Sequence, residues 1–88
     1  MKDILQIGGL YESKLTLRMY HIQNLSQKVK YDHIKDFNYF IGTLLEVIYY
    51  PDKSIYYIFF SDNKLYVALT WAQGDNNHRD FNHWFRKL

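Results

Sequence analysis

The 88 residues, 48% hydrophobic and 23% charged, suffice for one buried core but not two, so the chain reads as a single domain over residues 1–88. An aromatic share of 19% argues against disorder, and the absence of cysteine excludes a disulfide framework and a thiolate zinc site. A net charge of +2 neither demands nor forbids a polyanionic partner, and no run approaches the roughly 18 apolar residues of a membrane span.

Met1-Lys2-Asp3-Ile4 lacks the apolar run of a signal peptide, which together with the missing cysteines points to a cytoplasmic protein. Ile4 to Ile7 reads as a short strand closed by Gly8-Gly9, a pair without the further glycines and lysine of a phosphate loop. Between Lys14 and Ile22 two periods fit. A strand puts Leu15, Leu17 and Met19 on one side and Thr16, Arg18 and Tyr20 on the other, whereas a helix capped by Ser13 lines up Leu15, Met19, Ile22 and Leu25. The strand is the preferred reading.

Ser26, as an N-cap, opens an expected helix over about 26–41, with Val29, Ile34, Phe37, Phe40 and Ile41 on its apolar stripe and Gly42 as its C-cap. Residues 44–71 then form an antiparallel meander of Leu44 to Tyr50, Ser54 to Phe60 and Leu65 to Trp71. A two-residue turn at Asp62-Asn63 pairs Phe60 with Leu65, and the Pro51 to Ser54 loop pairs Tyr50 with Ile55. This register predicts a core face of Leu45, Val47, Tyr49, Tyr56, Ile58, Phe60, Leu65, Val67, Leu69 and Trp71. A second face, carrying Leu44, Glu46, Ile48, Tyr50, Ile55, Tyr57, Phe59, Tyr66, Ala68 and Thr70, is dotted with hydroxyls and is the expected place for function. Asn76 or Asn77 caps a last helix over 77–88, with Phe81, Trp84, Phe85 and Leu88 sharing a side. The expected fold class is α+β: an antiparallel sheet of three to five strands with the two helices packed on one face.

From Ser26 onwards this order of helix, meander and helix is similar in topology to a double-stranded-RNA-binding domain. Those domains place lysines at the start of the last helix, where this chain has Gly74-Asp75-Asn76-Asn77-His78-Arg79, so only Arg79 would serve. The likeness is architectural and carries little functional warrant.

Catalytic chemistry has weak support. His33 with Asp36, or His78 with Asp75, could pair a base with an orienting carboxylate, but no nucleophile stands beside either. His78 and His83 are five apart, which cannot aim two imidazoles at one metal from a helix, and the acidic residues are scattered singly. No enzyme, cofactor or metal site is expected. The favoured function is a small protein-binding module, an inhibitor or adaptor of the kind phages use against host or defence complexes. It would dock on a larger protein through Tyr50, Tyr57, Phe59 and Tyr66, with Glu46 as a polar specificity contact. A homodimer through the same face is a further expectation. The alternative is a DNA- or RNA-binding protein that uses Arg79, Arg86, Lys87, Lys28 and Lys30 on phosphates and tyrosines on bases.

Overall fold

The computed structural model describes residues 5–30, 32–72 and 78–88. Among these, seven strands and one short helix follow in the order β1 (Leu10–Ser13), β2 (Leu17–Ile22), β3 (Ile34–Phe37), β4 (Ile41–Tyr49), β5 (Ser54–Ser61), β6 (Lys64–Trp71), α1 (Arg79–Trp84) and β7 (Phe85–Lys87). The strands make one antiparallel sheet, ordered β3-β2-β6-β5-β4-β1-β7, that curls into a half-barrel. The meander is present as β4, β5 and β6.

The expected helix over about 26–41 does not form. Its stripe is rich in β-branched and aromatic side chains, and Ile34 to Phe37 instead pairs along β2, with Leu17 opposite Phe37 and Tyr20 opposite Ile34. Before β3, Asn24 Oδ1 accepts bonds from Ser26 N (3.1 Å) and Ser26 Oγ (2.9 Å), so Ser26 belongs to an Asx turn and caps nothing. Gly42 is no helix cap either, since it lies within β4 opposite Tyr11. The last helix is cut to Arg79–Trp84, because the backbone of Phe85–Lys87 pairs with the free edge of β1. The expected caps Asn76 and Asn77 lie outside the described residues. With the first helix gone, the likeness to a double-stranded-RNA-binding domain goes too. The preferred strand reading near residue 17 holds as β2, with Leu17 and Met19 buried. The stretch from Leu5 to Ile7 forms no strand, and Gly8 turns the chain at φ +86.

The β5-β6 hairpin has the expected register, Phe60 opposite Leu65, across a turn in which Asp62 and Asn63 both take positive φ. The β4-β5 register differs by one residue. Tyr49, not Tyr50, faces Ile55, and a bulge between Leu44 and Glu46 shifts the pairing by one more residue, which sets Leu44 opposite Phe59 and returns it to the side it was expected to share with that ring. Glu46, Ile48 and Tyr50 therefore share a side with Tyr56 and Ile58, while Val47 and Tyr49 join Tyr57.

The larger correction concerns which side is the core. The inner face collects Leu44, Ile55, Tyr57, Phe59, Tyr66 and Ala68 with Tyr11, Leu17, Met19 and Phe40, and α1 and β7 close over it with Phe81 and Phe85. Phe81 touches Tyr57 at 4.5 Å, Tyr11 at 5.2 Å and Phe85 at 5.1 Å between ring centroids. Each buried ring of this kind removes enough apolar surface to stabilise the fold by about 1.5–3 kcal/mol. The face expected to be the core is instead the outer one. Its centre, Ile22, Tyr56, Ile58 and Val67, forms a smaller buried cluster on which Val29 packs. Val29 N donates to Tyr56 Oη at 3.3 Å, so the segment before β3 lies across this part of the outer face.

Candidate functional site

Where that cover ends, the outer face carries large apolar side chains open to solvent. Register aligns them across the sheet: Ile22 of β2 faces Leu65 of β6, Leu65 faces Phe60 of β5, Phe60 faces Thr43 of β4, and Thr43 faces Leu10 of β1. Leu88, whose N–H donates to Leu10 O at 2.8 Å, extends the line at the β7 edge. Within this row Phe60 is 42% exposed, Leu10 43% and Leu88 53%. Strand alternation creates it, since positions two apart along a strand share a face: the buried Ile22 and half-buried Leu65 belong to the covered cluster, and Phe60, Leu10 and Leu88 lie past it. Ile41, also exposed, flanks the row beside a polar group on β1. There Glu12 accepts a hydrogen bond from Tyr39 Oη at 2.7 Å and faces Arg86 Nη1 at 3.5 Å. That bond holds the Tyr39 phenol above its ordinary 10.0, since the carboxylate favours the protonated hydroxyl.

The five residues expected to bind a protein are divided between the faces. Tyr57 and Phe59 are wholly buried and Tyr66 is 4% exposed, all in the inner core. The Tyr57 hydroxyl, which looked like a surface signal, is met by His78 Nδ1 at 2.6 Å, and His78 Nε2 meets Tyr49 Oη at 2.9 Å. Tyr50 and Glu46 are on the outer face, away from the apolar row. Tyr50 packs against Tyr56 at 4.5 Å with the rings tilted by 57°, and carries Lys28 Nζ over its ring at 4.8 Å. Burial there raises the Tyr50 phenol above 10.0, with Tyr56 adding to the shift. Glu46 is exposed opposite Ile58.

The cations expected to meet nucleic acid do not converge. Arg86 stands at the start of β4, across Glu12 from Ile41, whereas Lys28 stands over Tyr50 past its end. Nine residues of extended strand separate them by about 30 Å. Arg79 lies 3.6 Å from Asp80, Lys87 Nζ donates to Leu88 O at 3.5 Å, and Lys30 is exposed beside the turn before β3. Of the two catalytic pairs weighed, His33 with Asp36 does not form, because Asp36 binds Arg18 at 2.9 Å, and His78 with Asp75 involves a residue outside the described ones. Among the described residues no helix is long and apolar enough to cross a membrane.

Sequence reasoning misses Leu10, Phe60, Leu65 and Leu88 because it gives Phe60 and Leu65 to the core, Leu88 to the apolar side of the expected last helix, and Leu10 no strand to pair with. The signal that finds them is the pairing of β1 with both β4 and β7, which joins residues from the two ends of the sequence. No protein-family model, curated protein or solved structure matches the chain.

Proposed function

We propose that the chain is a non-enzymatic protein-binding module, an adaptor or inhibitor, that docks on a larger protein through the outer apolar row with Phe60 at its centre. The observation that carries this reading is the alignment of Leu88, Leu10, Thr43, Phe60 and Leu65 across five adjacent strands, with the three largest exposures at Phe60 and the β1 and β7 edge. An antiparallel sheet with one solvated face alternates to polar residues on that side, whereas here Leu88, Leu10 and Phe60 are exposed along one line broken only by Thr43, which suits an interface. The Glu12 and Arg86 pair at its border supplies the polar rim of such a contact. A nucleic-acid ligand is less well served, because its five candidate cations are spread over both ends of the sheet.

The test is affinity capture with purified wild-type protein, Phe60→Asp and Arg79→Ala as parallel baits. A protein retained by wild type and Arg79→Ala but lost from Phe60→Asp is the expected result. Equal retention by Phe60→Asp would remove the reading, as would retention that disappears on raising salt and on changing Arg79 instead.

A further inference from the structure

At the end of the inner face nearest the β5-β6 turn, positions that elsewhere carry apolar core residues turn cationic and polar. Along β2 the inward residues run Leu17, Met19, His21, and along β6 from the other direction Ala68, Tyr66, Lys64. His21 faces Tyr66, and its backbone N–H donates to His33 O at 2.8 Å, which sets the two imidazoles on neighbouring chain segments. Together with Gln23, Lys35 and Lys64 they line a pocket of about 440 Å³. That volume falls within the roughly 300–1,000 Å³ range of small-molecule sites.

The electrostatics are one-sided. Among the described residues no carboxylate lines the pocket. Asp36 is turned to the outer face and held by Arg18, while two exposed acids stand at the border, Asp32 at 3.8 Å from His33 Nε2 and Asp62 in the turn before Lys64. Neither the Lys64 ammonium nor the His21 ring is hydrogen-bonded or ion-paired within the described residues. The Lys35 ammonium makes only a cation–π contact, 5.0 Å from the Phe37 ring. Tyr66, although nearly buried, has a hydroxyl that makes no hydrogen bond among the described residues. The pocket therefore offers two ammonium groups, two imidazoles, a phenol and a carboxamide, all donor-capable, around a tilted His21 and Tyr66 ring pair 5.8 Å apart.

We propose that this pocket binds the phosphate monoester of a small molecule of about mononucleotide size. A phosphate dianion has three terminal oxygens to accept from Lys35, Lys64 and the imidazoles, and the half-buried His21 ring, tilted 51° to the nearly buried Tyr66, gives the remainder of the ligand an aromatic contact. The test is an amide and imidazole chemical-shift titration at constant ionic strength with adenosine monophosphate, inorganic phosphate and a short single-stranded RNA, on wild type and on Lys35→Ala/Lys64→Ala. Both lysines are exposed, so the double variant is expected to keep its thermal transition. Saturable shifts confined to His21, His33, Lys35, Lys64 and Tyr66 with the monophosphate, weakened about tenfold or more in the double variant, are the expected result. Inorganic phosphate is expected to shift the same residues at higher concentration. The proposal is overturned by no saturation with either phosphate, by shifts scattered over unrelated lysines, by binding that survives in the double variant, or by a response to the RNA alone.

Discussion

Gly42 stands inside β4, where a Cβ would come 2.8 Å from Phe40 Cζ and 3.0 Å from Phe60 O. The ring cannot retreat, because Phe40 is packed edge-on against Phe37, Phe59 and Tyr66. Gly42→Ala is therefore expected to cost about 1–3 kcal/mol, read as a lower denaturant midpoint at unchanged slope. Thr70 shows the opposite case: its Oγ1 is buried without a hydrogen-bond partner among the described residues. Removing an unmet polar group while keeping the shape makes Thr70→Val neutral or stabilising, and a fall in melting temperature of more than a few degrees would refute that. Asp52 accepts from Ser54 Oγ at 2.6 Å and Ser54 N at 3.0 Å, which hold its carboxyl below the ordinary 3.8, the hydroxyl bond being the larger cause. A folded pKa below the unfolded one gives stability that is complete above 3.8 and lost as pH falls through the lower, folded value. Acid titration of stability should thus be shallower in Asp52→Asn than in wild type below that pH, and identical above it.

Elements were legible in the sequence where local chemistry dictated them. Asp62-Asn63 can take the two positive φ angles of a tight hairpin turn, so the β5-β6 register followed from the turn alone. Asn63→Val, which puts a β-branched side chain at φ 60, is expected to destabilise by about 1–2 kcal/mol on chemical denaturation. The bulge at Leu44 and Glu46 was not legible, because a chain with apolar residues on both sides of β4 shows no break in alternation when one residue is inserted. Residues 26–41 misled for a related reason: apolar side chains at irregular spacings mimic a helical stripe, while the ladder that claims Ile34–Phe37 belongs to β2, a long-range partner. The C-terminal stretch was split by the same kind of competition, with Phe81 retained in helix and Phe85 drawn into a strand on β1. Both rings reach the core, so Phe81→Ala should cost about 3–5 kcal/mol, measured by thermal or denaturant unfolding.

For the whole molecule, alternation along β5 and β6 separated the two faces correctly but could not say which one the rest of the chain would cover. Tyrosine hydroxyls in a sequence suggest a solvent-facing side, yet a bond to His78 satisfies Tyr57 deep in the core. What decided the matter was α1, β1 and β7 bringing Phe81, Tyr11 and Phe85 to the inner side, a choice made by contacts far apart in sequence. The consequence is a half-barrel with an aromatic interior and an outer apolar row running from Leu88 to Leu65. The most direct measurement of whether that row is the docking face is site-specific photo-crosslinking in cell extract. It would place p-benzoylphenylalanine at Phe60 in one protein and at Lys53, in the exposed turn at the other end of β5, in a second. A discrete protein adduct from position 60 and none from position 53 is the predicted result. Adducts of equal yield from both positions, or none from position 60, would contradict it.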